Sequence, residues 1–246
     1  MRHPFKNPYF NAIADLLEKI ESTQEPNLEA AADAVATALA QDGVIHTFGC
    51  GHSGSVALEP FHRSGCFVPV NAILDPGLMF QLGAHPGTAL ERLEGYAPII
   101  LARHELKPQD VLFAVSNSGR NPAGVDAVLY AKERGLKTIA LTAAGAHTHS
   151  RSRHSSGLLL KDAADIVLDN CAPANETALE TDGLEVAPIS TVAGCAVLHT
   201  VLYRAVKKLQ ERGLEPPVYK SSNAAHNDDW NTALARKYAQ RIKHID

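Results

Sequence analysis

The sequence is poor in the features that mark secreted, membrane-spanning and nucleic-acid-binding chains. Its four cysteines are Cys50, Cys66, Cys171 and Cys195, and no two stand in a C-x-x-C pair, which excludes that redox or zinc motif. No apolar stretch reaches the roughly 18 residues that a membrane helix requires. The start, Met1-Arg2-His3-Pro4, lacks the apolar run of a secretory signal, so a cytoplasmic location with reduced thiols is expected. Basic charge is not in excess either: 23 Lys and Arg against 27 Asp and Glu leave a net charge of −4. That balance speaks against a nucleic acid or an anionic membrane as partner, so any anion must be bound locally. There is no internal repeat, no low-complexity tract and no long linker.

What is present is enough apolar material for a continuous core, with 45% hydrophobic residues in a chain of 246. The pattern predicts a single domain over 1–246, with N-terminal helices in 1–42, an α/β core in 43–186 and C-terminal helices in 187–246. Phe10, Ile13, Leu16, Leu17 and Ile20 follow helical spacing, and an alanine-rich stretch from Leu28 to Ala40 reads as a second helix behind Glu25-Pro26. Short apolar runs at Val44–Phe48, Phe67–Val70, Asp110–Val115, Lys137–Leu141 and Asp165–Leu168 read as strands. Helices are expected after the first glycine-rich turn up to about Gly65, over Thr88–Ala102, from Pro122, over Ile189–Leu209 and over Asp228–Lys243. Alternating strands and helices predict a three-layer α/β/α, doubly wound, parallel five-stranded sheet.

In such sheets ligands bind beyond the carboxyl ends of the strands. Two polar turns fall there, Gly49-Cys50-Gly51-His52-Ser53-Gly54-Ser55 and Ser116-Asn117-Ser118-Gly119-Arg120-Asn121. Asn121-Pro122 fits a helix N-cap followed by proline, which leaves backbone N–H groups and the positive end of a helix dipole facing the turn. Two hydroxyl-bearing turns on neighbouring strands favour a phosphate. Gly49, Gly51 and Gly54 also satisfy the dinucleotide pattern G-x-G-x-x-G. However, Asp75, the acidic residue about twenty positions on, lies beyond the second strand rather than at its end.

These turns resemble the two phosphate-contacting loops of the sugar isomerase (SIS) domain family. The chain is similar along nearly its whole length to bacterial SIS proteins labelled as phosphoheptose isomerases, through Phe48–Ser53, Asp75–Leu78, Glu91–Tyr96, Ser116–Asn121, Ser152–Gly157 and Glu215-Pro216-Pro217. The resemblance implies a phosphorylated sugar as ligand and phosphate contacts from Ser53, Ser116, Ser118 and Asn121. Gly51, His52, Ser55, Asn117, Gly119, Arg120 and Ser155 complete the expected binding set. It also implies a homo-oligomer with the site shared between subunits.

The chemistry implied is aldose–ketose isomerisation through an enediolate, which requires one group to remove a carbon-bound proton and another to handle the oxygen protons. Glu59, just before Pro60, is the first candidate base; a kink at the proline would turn it toward the pocket. His199 and His154 are the further candidates. Phosphoheptose isomerases carry a glutamine and a histidine at an eight-residue spacing, both able to bind zinc. Here Thr191 replaces the glutamine, and Glu59 stands where a further histidine ligand falls, so neither metal nor organic cofactor is expected. His147, His149 and His154 are spaced too irregularly for a metal tract. Glu91 and Glu94 flank Arg92 on a solvated helix face or at the site, and His226-Asn227 lies in a polar segment that could reach a neighbouring subunit. A sensor that binds sugar phosphate without turnover and an amino-sugar-phosphate lyase or etherase are the alternatives; no basic helix-turn-helix accompanies the domain.

Overall fold

The computed structural model describes residues 5–221, 223 and 227–245; His226 lies outside the described residues. Strands β1 (Ile45–Gly49), β2 (Val70–Ile73), β3 (Val111–Val115), β4 (Lys137–Thr142) and β5 (Ile166–Asp169) form one parallel sheet in the order β2-β1-β3-β4-β5. Ile45 pairs with Val70 on one side and with Val111 on the other. The winding direction therefore reverses between β1 and β3, which makes their carboxyl ends the switch point where ligands bind in doubly wound sheets.

Alternate side chains of each strand serve opposite faces. Val111, Phe113 and Val115 join a core built with helices α1 (Pro8–Ala40), α2 (Gly51–Leu58) and α7 (Ser190–Glu211). Leu112 packs with α4 (Tyr96–Leu101) and α5 (Pro122–Glu133) on the other face. Both faces are thus covered, and the central strand β3 is apolar throughout, as a doubly buried parallel sheet favours. Two short helices, α3 (Ala84–Glu91) and α6 (Leu160–Ala163), flank the rim, and α8 (Asp228–Tyr238) comes late in the chain.

Four sequence expectations are corrected. The first forty residues form one 33-residue helix, not two, with Pro26 inside it. A proline in a helix interior costs about 3 kcal/mol, but α1 is held on both sides of it. Gln24 Oε1 accepts from Asp169 N at 3.1 Å, Leu28 is buried, and a ladder joins Glu25, Glu29 and Asp33 to Arg204, Lys208 and Arg212 of α7. The second strand begins at Val70 because Pro69 has no N–H to give the ladder; Phe67 instead bridges Val218 in antiparallel fashion. Thr88–Ala102 is interrupted between α3 and α4, where Gly95 takes φ +81°. The helix after the first turn stops at Leu58, with Glu59 as its C-cap, so Pro60 ends the helix rather than kinking it.

A hairpin, like the short helix α6, was not expected. Strands β6 (Thr177–Thr181) and β7 (Leu184–Pro188) make an antiparallel hairpin. Asp182 and Gly183 turn it, both with positive φ, the conformation for which an Asp-Gly pair is suited.

Candidate functional site

The turn after β1 is tight enough that α2 begins at Gly51, whose φ is +53°. A Cβ on Gly49 would lie 2.5 Å from Ser53 O, so only glycine lets the helix start so close to the strand. Gly51 N donates to Leu78 O at 2.8 Å, while the N–H groups of His52 and Ser53 have no acceptor within the helix. The turn after β3 reverses at Gly119, φ +62°, and runs into α5 with Pro122 at its first position. Asn121 is the N-cap residue, yet its side chain does not cap the helix, which leaves the N–H groups of Ala123 and Gly124 free of intrahelical partners.

Between these turns lies a cavity of about 230 Å³ lined by Gly51, His52, Ser53, Ser116, Asn117, Ser118 and Asn121, and closed by Phe80, Thr88, Glu91 and Glu176. A recess of about 20 Å³ continues from it toward Thr191 and Gly194 on α7. The hydroxyls of Ser116 and Ser118 accept from Gly119 N (3.2 Å) and Arg120 N (3.5 Å), so their hydrogens point elsewhere. Asn117 is 9% exposed; its Oδ1 accepts from Asn170 Nδ2 at 2.9 Å, and its own Nδ2 is buried without a partner among the described residues. The strand-end side of the cavity therefore offers donors. The same cavity also holds the carboxylates of Glu91 and Glu176, and Glu176 shares the recess with Asn117. Glu176 has φ +65° and accepts from Ser190 Oγ at 3.0 Å. A left-handed backbone costs a non-glycine residue roughly 1–2 kcal/mol, and such residues cluster at ligand clamps. The His52 ring packs on Phe80 at 4.9 Å.

The remaining named residues stand elsewhere. Ser55 faces solvent on α2. Gly119 shapes the turn without lining the cavity. Arg120 Nε donates to Arg151 O at 2.8 Å, and Ser155 donates through N and Oγ to Glu94 at 2.6 and 2.7 Å. His154 pairs with Asp126 through Nε2 at 3.1 Å and with Ser156 through Nδ1 at 2.7 Å. His154 and Ser155 thus tie the 151–157 loop to α5 and Glu94 instead of entering the cavity. The Arg153 guanidinium is held below its ordinary pKa by desolvation, then by Arg92 and Arg120, with Glu91 opposing; these charges share one rim.

Glu59 and His199 meet, with His199 Nε2 2.9 Å from Glu59 Oε1, but outside the cavity. Helices α2 and α7 run side by side from the rim, Gly194 lying so close to Val56 that a Cβ would stand 3.2 Å away. Glu59 is six residues past Ser53, about 9 Å further from the rim at the helical rise of 1.5 Å per residue. His199 lines a separate groove with Tyr203, Val218 and Trp230. Arg63 NH1 occupies the second oxygen of Glu59 at 3.1 Å, so a metal would compete with a guanidinium. Among the described residues no three His, Cys, Asp or Glu side chains converge as metal ligands. Burial raises the Cys50 and Cys66 thiols, Cys66 to about 11, and Cys171 and Cys195 are raised for the same reason; none is a ready thiolate. Asp75 accepts from Gly77 N and Tyr96 OH, a structural use rather than a ribose contact. No helix among the described residues is long and apolar enough to cross a membrane.

Sequence reading missed Glu176 and Asn170. Glu176 sits ahead of a hairpin that was itself unread, although Asp182-Gly183 signalled it.

Sheet order, switch point and paired polar turns define a doubly wound α/β protein with its candidate site between β1 and β3. A family model of the SIS domain matches residues 8–143. A UPF0309 protein of Geobacillus thermodenitrificans is 40% identical over 236 residues, covering 95% of each chain. One of Listeria monocytogenes is 38% identical over 239 residues, covering 96% of this chain and 98% of the relative. The chain belongs to the SIS domain family. Among solved structures, a phosphoheptose isomerase from Francisella tularensis superposes with TM-score 0.54 at 20% identity, covering 81% of this chain and 95% of that one. The Vibrio vulnificus NanR protein complexed with ManNAc-6P gives TM-score 0.52 at 15% identity, covering 96% and 69%. Both share the fold.

Proposed function

We propose that the protein binds a sugar phosphate in the cavity between Gly51–Ser53 and Ser116–Asn121, and that it interconverts aldose and ketose forms through an enediolate without organic cofactor. The supporting observation is the polarity of the cavity. A phosphate dianion only accepts hydrogen bonds, and it suits the wall formed by two helix N-termini, the serine hydroxyls and the unpartnered Asn117 amide. Sugar hydroxyls donate, and they suit Glu91 and Glu176, which line the same cavity. At about 230 Å³ the cavity is smaller than the roughly 300–1,000 Å³ of drug-sized sites, in keeping with a small, highly polar ligand.

In this reading the phosphoryl group anchors the substrate and a carboxylate removes the carbon-bound proton. The Glu59–His199 pair supplies base and proton carrier from a second copy of the chain, since within one chain the pair stands outside the cavity. The working form is then a cytoplasmic homo-oligomer with a shared site. The same placement favours a second reading, a sensor that holds the sugar phosphate and does not turn it over; the NanR neighbour is a complex with ManNAc-6P.

A thermal-shift panel of C5 to C7 sugar phosphates, each beside its unphosphorylated parent, tests the binding. NMR of any hit in deuterium oxide then separates the readings. Deuterium entering carbon 1 or 2 supports isomerisation, and binding without exchange supports the sensor. A panel in which no phosphorylated sugar binds better than its parent removes both.

A further inference from the structure

An asparagine amide can turn either its carbonyl or its NH2 to a ligand, and only the NH2 end binds an anion. Both asparagines of the second turn have that choice made for them by residues outside the main cavity. A backbone N–H can only donate, and Ala172 N donates to Asn170 Oδ1 at 3.0 Å. Asn170 must therefore present Nδ2 to its neighbour, and it donates to Asn117 Oδ1 at 2.9 Å. This leaves the Asn117 Nδ2 buried and, among the described residues, unpartnered, on a residue that lines both the cavity and its recess. A guanidinium likewise has donors only, and Arg153 NH1 donates to Asn121 Oδ1 at 2.7 Å. With its oxygen engaged, Asn121 does not cap α5. Its amide nitrogen has no partner among the described residues, and the helix N-terminus stays uncovered.

We infer that Asn170 and Arg153 are positioning residues that lock the Asn117 and Asn121 amides with their NH2 ends toward the ligand, and that this lock sets the cavity's preference for an acceptor-only, phosphoryl-type group. The inference rests on reading the cavity as a phosphate site. Arg153 is itself anchored for the task, its N donating to Arg120 O at 2.9 Å, and the adjoining His154 is pinned on Asp126.

The probe is inorganic phosphate, titrated into protein carrying 15N-labelled asparagine, with the affinity and the side-chain NH2 signals of Asn117 and Asn121 both recorded. In the wild type both signals are expected to shift with phosphate. Arg153→Gln introduces an acceptor that lets the Asn121 amide turn round; phosphate binding should weaken about tenfold and the Asn121 signal should stop responding. Arg153→Lys keeps a donor-only cation and should stay within about threefold of wild type. Removing the charge of Arg153 also weakens attraction to any anion, and a double-mutant cycle separates that effect. If the lock acts through Asn121, Arg153→Gln costs nothing further in an Asn121→Ala background; a pure charge effect persists there and overturns the inference. Equal phosphate affinity in Arg153→Gln and wild type overturns it as well, while leaving the phosphate site standing. A wild type that does not bind phosphate removes the site on which the inference depends.

Discussion

Asp110 offers the most demanding test of how the sheet is held at the end opposite the site. It is 1% exposed and accepts from Val44 N (2.8 Å), Lys107 N (2.7 Å), His46 Nε2 (3.2 Å) and Arg241 NH2 (2.6 Å). Asn71 Nδ2 lies 2.9 Å from His46 Nδ1 and 3.0 Å from His104 Nδ1, so the cluster joins β1, β2, the start of β3 and the C-terminal segment. Asp110→Ala strands a buried histidine N–H, two backbone N–H groups and a nearly buried guanidinium. Removing one member of a buried ion pair costs about 3–5 kcal/mol. For a chain of 246 residues the unfolding entropy is roughly 0.5 kcal/mol per degree, so the melting temperature should fall by about 6–10 °C. Urea unfolding followed by far-UV CD gives the free energy and differential scanning calorimetry the temperature. Burial alone would raise the Asp110 pKa, but the bonds from His46, Val44 and Lys107 outweigh it and hold the group below its ordinary value. A carboxylate depressed in the folded state contributes stability above its unfolded pKa and loses it as pH falls through the folded one. The deficit of Asp110→Ala should therefore shrink below about pH 4. A loss under about 1 kcal/mol near neutral pH would refute the reasoning, because it would mean that water replaces all four partners.

Ser118→Ala should weaken binding of any sugar phosphate found in the panel about tenfold by calorimetry, through loss of one donor to a charged group; unchanged affinity would remove Ser118 from the site. Glu59→Gln should bind that ligand as the wild type does and lose deuterium exchange, and full exchange would exclude Glu59 as the base. Pro26→Ala should stabilise the protein by about 1–3 kcal/mol, by restoring a helical hydrogen bond at the middle of α1; a lower melting temperature would refute a local proline cost at that position. His104 is depressed to about 4, by burial first and then by Lys243 and His46. The unfolded chain therefore binds the extra proton first, and stability should decline from about pH 6.5 toward pH 4. Replacing His104 by Gln should flatten that slope.

What could be read in advance followed how local the physics was. The run Asp110–Val115 followed by Ser116–Asn121 carried its own strand, turn and N-cap, and all three lie where the pattern put them. The order of strands was legible only as alternation. Pro26 misled because a local rule was overruled by contacts to α7, more than 170 residues away in the chain. Glu59 and His199 were singled out separately, yet nothing local told that they would meet at 2.9 Å outside the cavity. Asn170 escaped because its role exists only through Asn117, 53 residues earlier. Glu176 escaped because its unusual backbone follows from the hairpin after it, not from its own neighbours.

The antiparallel pairing of Phe67 with Val218 has a bearing on solution behaviour. Val68 N donates to Pro217 O and Tyr219 N to Cys66 O, so the approach to β2, an outermost strand of the sheet, is already engaged. Unpaired strand margins recruit other chains. Trimming the chain back past Pro216 would strip this margin, and turbidity on warming should then appear well before the secondary structure melts.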